Sequence, residues 1–104
     1  MTLDTVHVGY LIRLKARQGQ EAAVEEFLES VLPIVNKEPR TTAFVAFRTG
    51  DAEFGIVNAF ADDAGRQAHG NGDAGAALSA RAAELFAEPP TVEPIDVLAS
   101  KLPA

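Results

Sequence analysis

The spacing of the apolar residues alternates between two periods along this chain, and that alternation constrains the fold most strongly. Over residues 6–15 an apolar residue recurs at every second position, which is typical of a β-strand with one buried face. Over residues 20–36 the apolar residues recur three and four positions apart, and glutamates occupy the opposite face. The chain therefore begins with a predicted strand, a turn and an amphipathic helix, in which the late Pro33 kinks or shortens the last turn.

The rest of the chain contains further segments with strand or helix patterns, separated by short polar connections. Aspartates before the two later helices are the predicted N-caps: Asp62 or Asp63 for the first and Asp73 for the second. Pro94 predicts that the final strand lies at a sheet edge or begins with a bend. The predicted elements are strands 42–48 and 54–61 as a hairpin, helices from 62 or 63 to 69 and over 74–87, and a strand over 91–99.

The order β-α-β-β-α-β is the ferredoxin-like α+β plan, and the length predicts a single domain over residues 1–104. In the second and third strands, residues 43–47 and 56–60 are mostly apolar on both faces. The helices of this plan cover only one face of the sheet, so the other face needs a second cover. We therefore expect a homodimer that packs sheet against sheet.

Composition excludes several classes of function. Nine Lys+Arg against fifteen Asp+Glu give a net charge of −6, which repels a phosphate backbone, so we expect no nucleic-acid partner. The chain has no cysteine and only two histidines, His7 and His69, so we expect no metal and no resident cofactor. No apolar run approaches the ~20 residues of a membrane span, and the N-terminal residues lack a signal-peptide pattern. We expect no membrane partner and a cytoplasmic location.

Four segments carry a resemblance to a known family: residues 15–19 before a helix containing Phe27, the block 54–60 (FGIVNAF), the stretch 62–69 (DDAGRQAH), and EPP at 88–90 before the last strand. They resemble the antibiotic biosynthesis monooxygenase family of dimeric α+β barrels, over about residues 6–102. The resemblance implies a dimeric barrel and oxidation of a small phenolic, quinol or polyketide-like aromatic by O₂ without a cofactor. The family also contains heme-degrading and uncharacterised members.

Members of this family commonly carry an aromatic residue, often Trp, at the end of the third strand and a histidine nine residues later. Phe60 and His69 keep that spacing. The chain departs from the pattern at three positions. Phe60 lacks the indole N–H of Trp, Asn58 stands where an acidic residue is frequent, and Ala74 stands where a second histidine often follows.

His69 is the candidate general base, because a neutral imidazole can take a proton from a phenol near pH 7. The alternative is a histidine at a helix end that bonds to backbone or to a partner chain. Asn58, in mid-strand among apolar neighbours, either orients a ligand oxygen or lies at a dimer seam. Phe60 and Phe27 are the candidate apolar wall of a substrate pocket.

Tyr10 and Arg13 are the remaining candidates for the substrate pocket. They are three residues apart in the first strand, so they lie on opposite faces of the sheet. Either side chain can orient a ligand, and Arg13 can instead be a solvated charge near the strand end. His7 is expected at the surface or at an interface.

Residues 70–75 (GNGDAG) match the pattern G-x-G-x-x-G. A dinucleotide fingerprint follows a strand and opens the helix of a parallel βαβ unit. This one follows a predicted helix, so we interpret it as a flexible joint between two helices, or as a mobile lip over a pocket.

Two functions from different classes remain open. The first is a cofactor-independent monooxygenase, which the retained His69 favours. The second is a non-catalytic dimeric barrel that binds a small apolar ligand in a stress or accessory role, which the missing Trp and second histidine favour. Heme degradation is a third option, for which only two histidines are available to bind iron.

Overall fold

The computed structural model describes residues 6–103, and its secondary structure follows the predicted order. The ferredoxin-like α+β plan is confirmed, with its second helical segment divided in two as predicted. The largest difference in bounds is in the last strand, predicted to residue 99, which ends at Asp96. The elements are β1 (Val8–Lys15), α1 (Glu21–Val35), β2 (Ala43–Arg48), β3 (Glu53–Phe60), α2 (Asp63–Gly70), α3 (Asp73–Leu85) and β4 (Thr91–Asp96).

The four strands form one sheet in the order β2-β3-β1-β4, and every neighbouring pair is antiparallel. The two strands that α1 connects, β1 and β2, are therefore separated by β3, as the split βαβ plan requires. β4 lies at an edge, as Pro94 predicted, because a proline has no N–H to donate to a further strand. Beyond β4, the Val97 N–H still donates to the carbonyl of His7 at 2.8 Å.

One face of the sheet, which we call the inner face, carries the helices. Ile12 is paired with Ile56 and Leu14 with Phe54 on this face, and all four side chains are buried. α1 packs against them with the apolar stripe that the sequence predicted, and Pro33 lies within this helix, which continues to Val35. None of the helices within residues 6–103 is long and apolar enough to cross a membrane. The buried residues of α1 are Val24, Phe27, Leu28, Val31 and Val35.

The other face of the sheet, which we call the open face, is apolar and only partly buried. Leu11 and Val57 are cross-strand partners there and are half-buried, and the neighbouring Val45 is 54% exposed. The Phe47 ring lies over Gly55, where a Cβ would come within 2.4 Å of the ring. In β3 the two-sided apolar pattern thus corresponds to a buried inner face and an apolar open face. In β2 the inner-face residues Phe44 and Ala46 are partly buried and exposed, respectively.

β1 and β3 approach very closely at one position. A Cβ built on Gly9 would lie 1.9 Å from the backbone carbonyl oxygen of Asn58. The backbone N–H of Tyr10, the next residue, donates to the side-chain Oδ1 of Asn58 at 2.9 Å. Asn58 thereby takes part in the strand ladder with its side chain.

The junction between α2 and α3 differs in part from the prediction. Asp62 is the N-cap of α2 and accepts from the backbone N–H of Gly65 at 2.9 Å, as predicted. The prediction of Asp73 as N-cap of α3 is wrong, because Gly72 holds the extended cap position and Asp73 is the first helical residue. A Cβ on Gly75 would lie 2.6 Å from the Gly70 carbonyl oxygen. Gly75 therefore permits close packing of the two helices, which is a different role from the flexible joint predicted for it.

Candidate functional site

A cavity of about 410 Å³ lies between the inner face of the sheet and the three helices. Its size falls in the range of small-molecule sites, and apolar side chains supply most of its wall. Within residues 6–103 no three histidine, aspartate or glutamate side chains come together as a metal site requires. The apolar lining includes Ile12, Phe27, Val31, Ile56, Leu78 and Val92, and the lining residues with polar side chains are Tyr10, Gln67, His69, Asn71 and Ser79.

His69 lies on the wall of this cavity, in the last turn of α2. The Asp62 cap fixes the start of this short helix, and the buried side of the helix carries Gly65 and His69. The imidazole side chain is 8% exposed and packs against the rings of Phe60 and Phe44, at centroid distances of 5.4 and 6.4 Å. The chain thus holds an imidazole between aromatic rings at the edge of an apolar cavity.

A carboxylate contacts this imidazole from outside the cavity. The Nδ1 atom of His69 lies 2.6 Å from Oε1 of Glu38, whose side chain is 19% exposed. Glu38 belongs to the connection between α1 and β2, and the Thr41 hydroxyl donates to its Oε1 at 2.7 Å. Glu38 is marked by no sequence pattern, because it lies 31 residues from His69 and outside every periodic segment.

Asn58 lies in mid-β3 on the inner face, opposite Tyr10, and is 1% exposed. Its Oδ1 accepts from the Tyr10 N–H, whereas its Nδ2 is buried and has no hydrogen-bond partner among the described residues. A buried donor without a partner costs about 1–3 kcal/mol, so an unsatisfied amide here is a notable feature. On the same face, Tyr10 and Ile56 flank Asn58, and both line the cavity.

The Tyr10 side chain is held between α2 and the core. Its ring meets Phe60 edge to face at 6.5 Å, and the Arg66 guanidinium lies over the ring at 5.5 Å. Arg66 is fixed in turn by Asp63, with Nη2 at 2.5 Å and Nε at 3.0 Å from Oδ1. Hydrogen bonds from Arg66, and then from Gln67, hold the pKa of Asp63 below its ordinary value of 3.8.

The two predicted wall residues have different positions. Phe27 lines the cavity from α1. Phe60 is fully buried behind His69 and Tyr10, which it contacts with its ring. Phe60 therefore positions the residues that border the cavity and is not itself among the lining residues.

Arg13 and His7 lie away from the cavity. Arg13 is on the open face, its side chain is 65% exposed, and its Nε lies 3.4 Å from Oε1 of Glu93. Arg13 therefore does not line this cavity, because the pleat of β1 directs it to the face opposite Tyr10. His7 is exposed, as expected.

Comparison with solved structures defines the class of fold. A protein from Caulobacter crescentus, whose name places it provisionally among the antibiotic biosynthesis monooxygenases, is 18% identical with a TM-score of 0.77, over 93% of this chain and 94% of that one. A further structure named antibiotic biosynthesis monooxygenase is 14% identical with a TM-score of 0.76, over 88% of this chain and 99% of that one. At this identity the likeness establishes the fold, which is that of the antibiotic biosynthesis monooxygenases.

A nearer relative establishes the family. A protein of unknown function from Nitrosomonas europaea is 50% identical with a TM-score of 0.93, over 95% of this chain and 96% of that one. This chain belongs to the same family as the Nitrosomonas protein. No protein-family model matches the sequence, and no curated protein matches it.

Proposed function

We propose that this protein is a cofactor-independent monooxygenase that oxidises a small phenolic, quinol or polyketide-like aromatic with O₂. The observation that carries the proposal is the buried imidazole of His69 on the wall of a largely apolar cavity of about 410 Å³. Such a cavity accepts a planar apolar ligand, and a neutral imidazole can accept a proton from it. The fold shared with structures named antibiotic biosynthesis monooxygenases supports the same reaction class.

The proposed reaction begins when His69 accepts the proton of a substrate hydroxyl or enol. The resulting anion is electron-rich enough to transfer an electron to O₂ directly. In an anthrone-type substrate a CH₂ group becomes a carbonyl, so that one oxygen atom enters the product and the other leaves as water. The protein contributes a base, a dry site and stabilisation of the negative charge.

Asn58 and Phe27 take supporting roles in this proposal. Asn58 lies between the lining residues Tyr10 and Ile56 and does not itself line the cavity. In this proposal a substrate oxygen that becomes negative reaches its unpartnered Nδ2, which stabilises the charge as a hydrogen-bond donor. Phe27 offers an apolar surface from α1 for the aromatic body of the substrate.

The test is oxygen uptake by the full chain with a panel of quinols and anthrones and no added cofactor. His69→Ala should lower kcat roughly 10²–10⁴-fold, the usual effect of losing a positioned general base. Asn58→Ala should cost roughly 10-fold, as expected for one hydrogen bond of about 1–2 kcal/mol. His7→Ala is the matched control, because this exposed histidine lies away from the cavity. Equal rates for His69→Ala and the wild type would remove His69 from the mechanism.

The apolar lining favours a second candidate, binding of a small apolar ligand without turnover. Six of the lining side chains are large and apolar, and burial of a ligand against them supplies about 25 cal/mol per Å² without any chemistry. If no quinol or anthrone is oxidised, while native mass spectrometry of the purified protein detects a bound small molecule, the binding function replaces the oxygenase.

We also propose that the protein is a homodimer in which a second copy covers the open face. The exposed Val45 and the half-buried Leu11 and Val57 support this, because apolar side chains on a sheet face gain from a matching cover. Val45→Asp should reduce the mass measured by light scattering from dimer to monomer at micromolar concentration. Ala80→Asp, at an exposed position of α3, is the control. A wild-type mass of about 11 kDa would refute the dimer.

A further inference from the structure

The Glu38 carboxylate is placed against His69 by its own network of contacts. Its backbone N–H donates to the carbonyl of Val35 at 2.9 Å, just after the end of α1. Its Oε1 accepts from the Thr41 hydroxyl at 2.7 Å and lies 2.6 Å from Nδ1 of His69. The carboxylate is therefore fixed from its own loop on one side and meets the imidazole on the other.

His69 separates two concave regions of the surface. One is the apolar cavity, and the other is an outer depression that Glu38 borders together with Lys37, Arg40 and Asp73. Of these charged groups only Glu38 lies within hydrogen-bond distance of the imidazole. The Arg40 guanidinium donates from Nη2 to Oδ1 of Asp62 at 3.1 Å. Glu38 thus acts on the ring from the side opposite to a ligand in the cavity.

The chemistry of this contact restricts the proton positions on the ring. An ionised carboxylate only accepts hydrogen bonds, so the atom that faces it must carry a proton. A neutral His69 is then protonated at Nδ1, and its Nε2 carries a lone pair. Among the described residues, the side-chain hydrogen bond of His69 is made through Nδ1, to Glu38.

We infer that Glu38 is a positioning residue, which holds His69 in the Nδ1–H tautomer and leaves Nε2 as the basic atom. The same carboxylate stabilises the imidazolium that forms when Nε2 accepts a proton. The inference rests on the proposed function for its catalytic meaning. The tautomer itself is a property of the free protein and can be measured without a substrate.

The experiment is two-bond ¹H–¹⁵N NMR of the imidazole rings in the uniformly labelled full chain. We expect ¹⁵N shifts of His69 near neutral pH and above to report a protonated Nδ1 and an unprotonated Nε2. The exposed His7 provides an internal reference in the same spectrum. Glu38→Ala should move His69 toward the Nε2–H form, whereas Glu29→Ala, at an exposed position of α1, should not change it.

A second variant covers the case in which Glu38→Ala fails to fold. Glu38→Gln keeps the size of the side chain and removes its charge, so the downfield Nδ1–H resonance of His69 should move upfield. An Nε2–H tautomer in the wild type, or shifts that neither variant alters, would overturn the inference. If a quinol is oxidised, Glu38→Ala should lower kcat roughly 10- to 100-fold with little change in KM, by analogy with partners that orient metal-bound histidines. A fixed Nδ1–H tautomer together with no turnover on the panel would overturn the oxygenase proposal alone.

Discussion

Replacement of Gly9 by alanine would place a methyl group inside the contact radius of a carbonyl oxygen on the neighbouring strand. The Cβ would lie 1.9 Å from the Asn58 oxygen, whereas ordinary contact begins at 3.4 Å, so β1 and β3 would have to separate by up to 1.5 Å there. The Tyr10 N–H bond to Asn58 at 2.9 Å would be lost with that separation. Backbone displacement costs about 1–3 kcal/mol and the lost bond about 1 kcal/mol, so we expect a loss of roughly 2–4 kcal/mol.

Urea unfolding followed by circular dichroism measures this loss. With a slope of about 1–2 kcal/mol per M for a chain of this size, the Gly9→Ala midpoint should fall by roughly 1–4 M. Gly50→Ala is the matched control, because a Cβ there would have its nearest neighbour, the Glu53 side chain, at 4.0 Å and should change stability by less than about 0.5 kcal/mol. Equal urea midpoints for Gly9→Ala and the wild type would show that the close approach of β1 and β3 does not contribute to stability.

Three further changes test other parts of the structure. Leu85→Ala should cost roughly 2–5 kcal/mol in the free energy of unfolding, since this side chain is fully buried, and a smaller loss in urea unfolding would mean that the core refills the space. Phe60→Trp should lower the thermal midpoint by the equivalent of roughly 1–3 kcal/mol, because Phe60 is fully enclosed; an unchanged midpoint would contradict this packing. Asp63→Asn should lower the urea midpoint at pH 7. Because the pKa of Asp63 is lowered in the folded state, the ionised carboxylate stabilises the fold above pH 3.8, and this stabilisation is lost as the pH falls further. A difference in urea midpoint between Asp63→Asn and the wild type that persists in acid would contradict a stabilising Asp63–Arg66 ion pair.

The elements could be predicted from the sequence because their signals are local. The period of α1 specifies which of its residues are buried, and Phe27 and Val31 do face the core. The alternation in β1 likewise separates Tyr10 from Arg13, and the structure places them on opposite faces. Alternation alone does not say which face carries the helices, so it could not decide that Tyr10 lines the cavity and Arg13 does not.

The contacts that build the site could not be predicted, because they depend on how distant segments meet. Glu38 lies in an irregular connection, and no local pattern marks its contact with His69. The glycines of residues 70–75 predict a flexible joint between the helices. In the structure a glycine is needed at position 75 because α2 and α3 approach too closely there to leave room for a Cβ. Asp73 resembles an N-cap in sequence, but Gly72 takes the extended conformation that the cap position needs.

The Phe47 ring on the open face makes two positions in neighbouring strands depend on each other. Because the ring occupies the space above Gly55, any Cβ at residue 55 requires either that the Phe47 ring move or that residue 47 be smaller. Removal of the ring alone would uncover backbone of β3, and addition of a Cβ alone would displace the ring. Relatives that keep this surface should therefore covary at the two positions, with an aromatic residue opposite glycine or a small residue opposite alanine.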